Sequence, residues 1–145
     1  GYAPSSGQDE FYRTAALAHK LGVPAFTHSR QMSNVEPGSS LDGALEIIAA
    51  ADGTGAALHI CHLNSTSLQL TDDVCSAVEQ AQSRGNRITT EGYPYAAGST
   101  GVGAAFFEPA RLHRLGITTK SITSEMCRSF TTSVKVARSK SSPRP

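Results

Sequence analysis

Three apolar runs, each ending on or beside an unusual polar group, recur at nearly constant spacing along this chain of 145 residues. Residues 23–28 end on His28, "AALHICHL" at 56–63 carries His62 near its end, and 87–91 runs into Tyr93. His28 to His62 is 34 residues and His62 to Tyr93 is 31, the length of one strand, one helix and their connections.

Helical patterns precede each run. Phe11, Ala15, Leu17, Ala18 and Leu21 form an apolar stripe, with Ser6 as the expected N-cap, Asp9 and Glu10 in the first turn and Gly22 as the stop. Residues 31–39, rich in turn formers, read as a loop. Leu41, Ala44, Leu45, Ile48 and Ala49 recur at helical spacing and stop near Asp52-Gly53. Thr71, followed by Asp72 and Asp73, caps a third helix through Val74, Ala77, Val78 and Ala81, closed by Gly85. Pro94 cannot donate to a ladder and marks where the third strand leaves its sheet. Alternating helices and strands predict an α/β fold with a parallel sheet and right-handed crossovers. The near-continuous run at 56–63 fits a strand covered on both faces.

The length allows one domain, and a formal net charge of +1 gives no general attraction to nucleic acid or membrane. No apolar run reaches the roughly 18 residues of a membrane span. Three cysteines, Cys61, Cys75 and Cys127, match no zinc ribbon or disulfide framework, and Cys61 reads as a small buried hydrophobe. This usage suits a reducing cytoplasm. The chain opens on "GYAPSSG", a loop entered from something upstream, so a piece of a longer protein is expected. The segment "RSFTTSVKVARSKSSPRP" at 128–145 carries five basic and no acidic residues, and a disordered tail is expected over 123–145. The expected domain is therefore 1–122.

Ligand sites in parallel α/β proteins lie at the carboxyl ends of the strands, where His28 and His62 stand. Neighbouring strands about 4.8 Å apart allow two imidazoles to share one ion about 2.1 Å from each nitrogen. A structural pair is the competing reading. His59 lies three residues from His62, so strand parity assigns it to the helix-facing side. Arg30 shares parity with His28 and either grips a substrate carboxylate or stands solvated. Tyr93 and Tyr95 flank Pro94, aiming a hydroxyl at a ligand or simply packing. Glu91 faces the same interior and needs a partner there. "AAGSTG" at 96–101 reads as a flexible turn, and His19 and His113 as solvated helix residues.

"THSR" (27–30), "HICHLN" (59–64) and "EGYPYAAGST" (91–100), in this order and spacing, resemble the N-acyl-D-amino-acid deacylases, or D-aminoacylases, of the amidohydrolase superfamily. The likeness runs from "GYAP" to about Ile122. It implies a (β/α)8 barrel with zinc at the carboxyl-end mouth, hydrolysing the amide of a small N-acylated D-amino acid. The metal would activate water and polarise the acyl carbonyl. By the same resemblance His28 and His62 are metal ligands, while Arg30, Tyr93 and Ser99 line the substrate pocket. The family's HxH pair and early-strand cysteine have no counterpart here, and no Asp follows Asp73, so the catalytic aspartate is unassigned.

The expected architecture is thus a partial barrel of three to four βα units, with open sheet edges that invite self-association, and a chain inactive by itself. Two alternatives stand beside it: a cyclic amidase of the dihydroorotase or hydantoinase kind, and a small non-catalytic α/β binding module.

Overall fold

The structure is a computed structural model that describes residues 5–95, 97–101, 103–126 and 132–137; of the side chains of 97, 99, 106, 123–126 and 132–137 nothing is said. It divides after Tyr93 into two compact units.

The first unit holds α1 (Gln8–Leu21), β1 (Ala25–Thr27), α2 (Ser40–Thr54), β2 (Leu58–Ile60), a one-turn α3 (Leu63–Thr66), α4 (Thr71–Ser83) and β3 (Ile88–Thr90). The three strands are parallel in the order β1-β2-β3, as the recurring runs predict. Register aligns Phe26, His59 and Thr89 in one row across the sheet. The mixed α/β fold is therefore confirmed for this unit.

Alternation in β2 decides which face is covered. Leu58 and Ile60 are buried, and with Ile88 they join Ala15, Ala44, Ile47, Ile48, Ala51, Val74, Val78 and Ala81 in one core. Burying side chains of this size stabilises by about 1.5–3 kcal/mol each, which orders the small-residue helices against the sheet. The opposite face carries the Phe26–His59–Thr89 row, and Phe26 there is 69% exposed. A strand covered on both faces is thus corrected: only the helix side of β2 is dry. The assignment of His59 to the helix side is corrected with it, because Leu58 and Ile60 occupy that side.

Local signals need two further corrections. The N-cap of α1 is Gly7, without a side-chain bond, while the Ser6 hydroxyl donates to Glu10 at 3.0 Å. Thr71 is the first residue of α4, not its cap, and its hydroxyl donates to the Leu68 carbonyl. At Ser39 a capping box closes with Asp42: the Ser39 hydroxyl accepts from Asp42 N–H and the Asp42 carboxylate accepts from Ser39 N–H.

The second unit contains β4 (Ala97–Gly101), α5 (Pro109–Leu112), β5 (Ile122–Met126) and β6 (Thr132–Ala137), with short 3-10 turns around α5. Its sheet is antiparallel in the order β4-β6-β5. The expected flexible turn at 96–101 is a strand from Ala97. Within the expected disordered tail, 123–126 and 132–137 pair as strands; "TSVKVA" alternates β-branched and polar residues, a period of two that the basic composition obscured. The remaining tail residues lie outside the described ones. No helix among the described residues is long and apolar enough to cross a membrane.

Candidate metal centre

Two backbone hydrogen bonds carry the sheet past its formal ends and set the level of the site. Cys61 N–H donates to the Thr27 carbonyl at 2.9 Å, and Leu63 N–H donates to that of Glu91 at 3.0 Å. His28, His62 and Glu91 are therefore assembled at the carboxyl ends of three neighbouring parallel strands.

His62 does not continue the strand. Its φ of 53° is left-handed, and it stands at the N-terminus of α3. A side chain there costs about 1–2 kcal/mol over glycine, and such strain gathers at functional positions. The turn cancels the parity rule, so His59 and His62 reach the same carboxylate from one side of the sheet.

Glu91 is the hub. One carboxylate oxygen lies 2.8 Å from His62 Nδ1 and accepts from the His62 backbone N–H at 3.1 Å; the other lies 3.2 Å from His59 Nε2. The hydrogen bond to His59 leads, with the His62 N–H and the nearby rings behind it, in holding this carboxyl below the ordinary range. His28 meets His62 edge to face with ring centroids 5.0 Å apart. Burial first, and the neighbouring His62 second, lower the His28 pKa against the opposing pull of Glu91, favouring the neutral ring that ligates metals.

Tyr93 packs its ring edge against His62 at 5.9 Å. Asn64 holds it there, donating to the Tyr93 carbonyl at 2.8 Å and accepting from its N–H. Arg30 is engaged elsewhere: Nε pairs with Glu46 of α2 at 2.9 Å and one Nη donates to the Ser6 carbonyl. β1 ends at Thr27, so parity with His28 does not carry to Arg30. Ser99 lies in β4 of the second unit, and its side chain is outside the described ones.

Two residues gain a place that the sequence pattern did not assign them. His59 lies in the centre of the row, its Nδ1 2.8 Å from the Thr89 hydroxyl and its ring 4.8 Å from that of Phe26. Cys61 is only half-buried, and its thiol belongs to a cluster with His59 and Glu91 whose ligand atoms all lie within 4.8 Å of one another. Burial first, and the Glu91 charge second, raise the Cys61 pKa. The reading of Cys61 as core is thus corrected. The i, i+2 spacing of His59 and Cys61 was the available signal, masked by the near-continuous apolar run that holds them. The donor chemistry of these residues, imidazole, thiol and carboxylate, fits a borderline-soft divalent ion.

No family model matches the chain, and no curated protein does. Solved structures match its fold. An N-acyl-D-glutamate deacylase from Bordetella bronchiseptica, complexed with zinc and a phosphonate mimic of the tetrahedral intermediate, superposes with TM-score 0.58 at 19% identity, over 74% of this chain and 22% of that one. A D-aminoacylase mutant in complex with copper chloride gives 0.54 at 17%, over 68% and 21%. A further D-aminoacylase, studied for its binuclear metal centre, gives 0.54 at 16%, over 74% and 23%. The chain thus shares the fold of part of these deacylase structures and spans about a fifth of their length.

Proposed function

We propose that this chain is part of a zinc-dependent amidohydrolase that hydrolyses the amide bond of N-acyl-D-amino acids, completed by barrel strands beyond this sequence. One observation carries it: the His28 and His62 rings converge to 5.0 Å at the ends of adjacent parallel strands, in a fold shared with deacylases.

His28 and His62 would hold the ion, which when bound supplies Lewis acidity toward the acyl carbonyl and a nucleophile from water at neutral pH. Glu91 accepts from His62 Nδ1, fixing that ring's orientation and leaving its Nε2 for the metal. Tyr93, anchored by Asn64, lines the pocket beside His62. Arg30 receives the substrate carboxylate by exchanging it for Glu46, which now holds only its Nε. The substrate is small and neither nucleic acid nor membrane is engaged. The edge strands β1 and β3 are where barrel completion or self-association occurs. The two described cysteines without disulfides accord with a cytoplasmic setting.

The test assays this chain, and the longer polypeptide that carries it, for amino acid release from N-acyl-D-, N-acyl-L- and cyclic amide substrates. The longer polypeptide should act on the D-substrates, stop with chelator, recover with zinc, and lose activity in His28→Ala and His62→Ala; this chain alone should be inactive. Chelator-indifferent turnover, or turnover confined to cyclic amides, would overturn the proposal.

A further inference from the structure

His59, Cys61 and Glu91 have no part as ligands in the hydrolytic reading, yet they are the described residues whose donors cluster as a metal site would. We propose that these three side chains bind zinc on this chain alone, with no residue from outside it. The proposal stands on different ligands from the pair His28 and His62 and does not rest on the hydrolase reading.

Geometry supplies the first argument. Two ligands about 2.0–2.1 Å from a tetrahedral ion lie about 3.3 Å apart. His59 Nε2 and the nearer Glu91 oxygen are 3.2 Å apart before any ion enters. The Cys61 thiol completes a triangle whose sides do not exceed 4.8 Å, so small side-chain rotations close it. His59 and Cys61 are two apart on one segment, and Glu91 follows β3 directly beside them.

Ring orientation supplies the second. His59 Nδ1 lies 2.8 Å from the Thr89 hydroxyl, its partner across β2 and β3. Once an ion replaces the Nε2 bond to Glu91, Nδ1–H donates to Thr89 and the Nε2 lone pair faces the cluster, the arrangement that outer partners impose on metal-bound histidines. Glu91 is held in turn by the His62 N–H and ring. Phe26 covers the imidazole at 4.8 Å.

Chemistry supplies the third. One thiolate, one imidazole and one carboxylate select a borderline-soft ion over magnesium or calcium. Binding forms a sulfur–metal bond as the Cys61 S–H bond breaks and its proton leaves to solvent. Three protein ligands leave a fourth position for water.

Cobalt(II) is the probe, because thiolate ligation gives it a near-ultraviolet charge-transfer band that nitrogen and oxygen ligands do not. The reduced 145-residue chain should develop that band and saturate it at one equivalent. Cys61→Ser should abolish it and His59→Ala should weaken binding at least about tenfold. Cys75→Ser, Cys127→Ser and His28→Ala should keep it. A second measurement needs no variant: zinc should slow alkylation of Cys61, mapped by mass spectrometry, and leave Cys75 unprotected. Cobalt binding without the band, a band that survives Cys61→Ser, no binding at all, or equal alkylation of Cys61 with and without zinc would each overturn the proposal. Loss of cobalt absorption in His28→Ala with the band kept in Cys61→Ser would overturn it too, moving the site to His28 and His62.

Discussion

His62 Nδ1 and a Glu91 carboxylate oxygen meet at 2.8 Å although the residues are 29 apart in sequence. The pair exists because β2 and β3 lie parallel and the chain turns sharply at His62, and it ties the pair His28 and His62 to His59 and Cys61 through one carboxylate. Glu91→Gln keeps the shape and removes the charge. Zinc affinity, read by chelator competition, should fall about 10–100-fold. An unchanged affinity would remove Glu91 from the site.

The left-handed backbone of His62 predicts an unusual ordering of variants. Glycine adopts φ of 53° without a Cβ penalty, whereas alanine retains it. His62→Gly should be more stable to urea than His62→Ala by about 1 kcal/mol, both having lost the ring. Equal midpoints and slopes would mean that the turn relaxes and carries no strain.

Gly43 in α2 sets the position of the segment that follows His28. A Cβ there would collide with the Ser29 hydroxyl and lie 2.9 Å from the Gln31 carbonyl oxygen. Both belong to backbone-tethered groups, since Ser29 donates to that same carbonyl at 2.7 Å. Gly43→Ala should cost about 1–3 kcal/mol in urea unfolding, despite alanine's better helix propensity. It should also shift the His28 ring resonances in NMR. A stabilised protein with an unmoved His28 would refute the close packing.

Asp42 gives the fold a predictable acid response. Its carboxylate accepts backbone N–H bonds from Ser39 and Gly38, at 2.8 and 2.9 Å, and the Ser39 bond leads in depressing its pKa. A depressed folded value means the unfolded chain binds the proton more readily. The stabilisation is therefore complete above about pH 4, the ordinary carboxylate range, and is lost as pH falls through the lower folded value. Asp42→Asn should flatten that part of the urea-midpoint profile below pH 4, and Ser39→Ala should cost about 1 kcal/mol at neutral pH. An unchanged acid limb in Asp42→Asn would assign the response to other carboxylates.

The helices α1, α2 and α4 and the positions of the three parallel strands were legible because apolar spacing of 3.6 residues marks a helix face and short apolar runs mark strands. That His28 and His62 stand at neighbouring strand ends followed from strand order alone. Arg30 was not legible, because its partner Glu46 lies on α2 and is brought close only by helix packing over the sheet. Strand pairing in the basic segment was hidden by its composition, although Val134 and Val136 alternate.

The amino-acid sequence alone therefore determined the alternation of elements, the sheet order and which strand ends carry imidazoles, since these depend on local periodicity and chain connectivity. Tertiary structure alone decided the face that His59 and His62 share. That outcome hangs on one left-handed residue, and a single φ sign reverses a side chain's direction while leaving no trace in hydrophobic pattern. The meeting of His59, Cys61 and Glu91 was decided there too, because contacts between residues some 30 positions apart arise only when the strands pair.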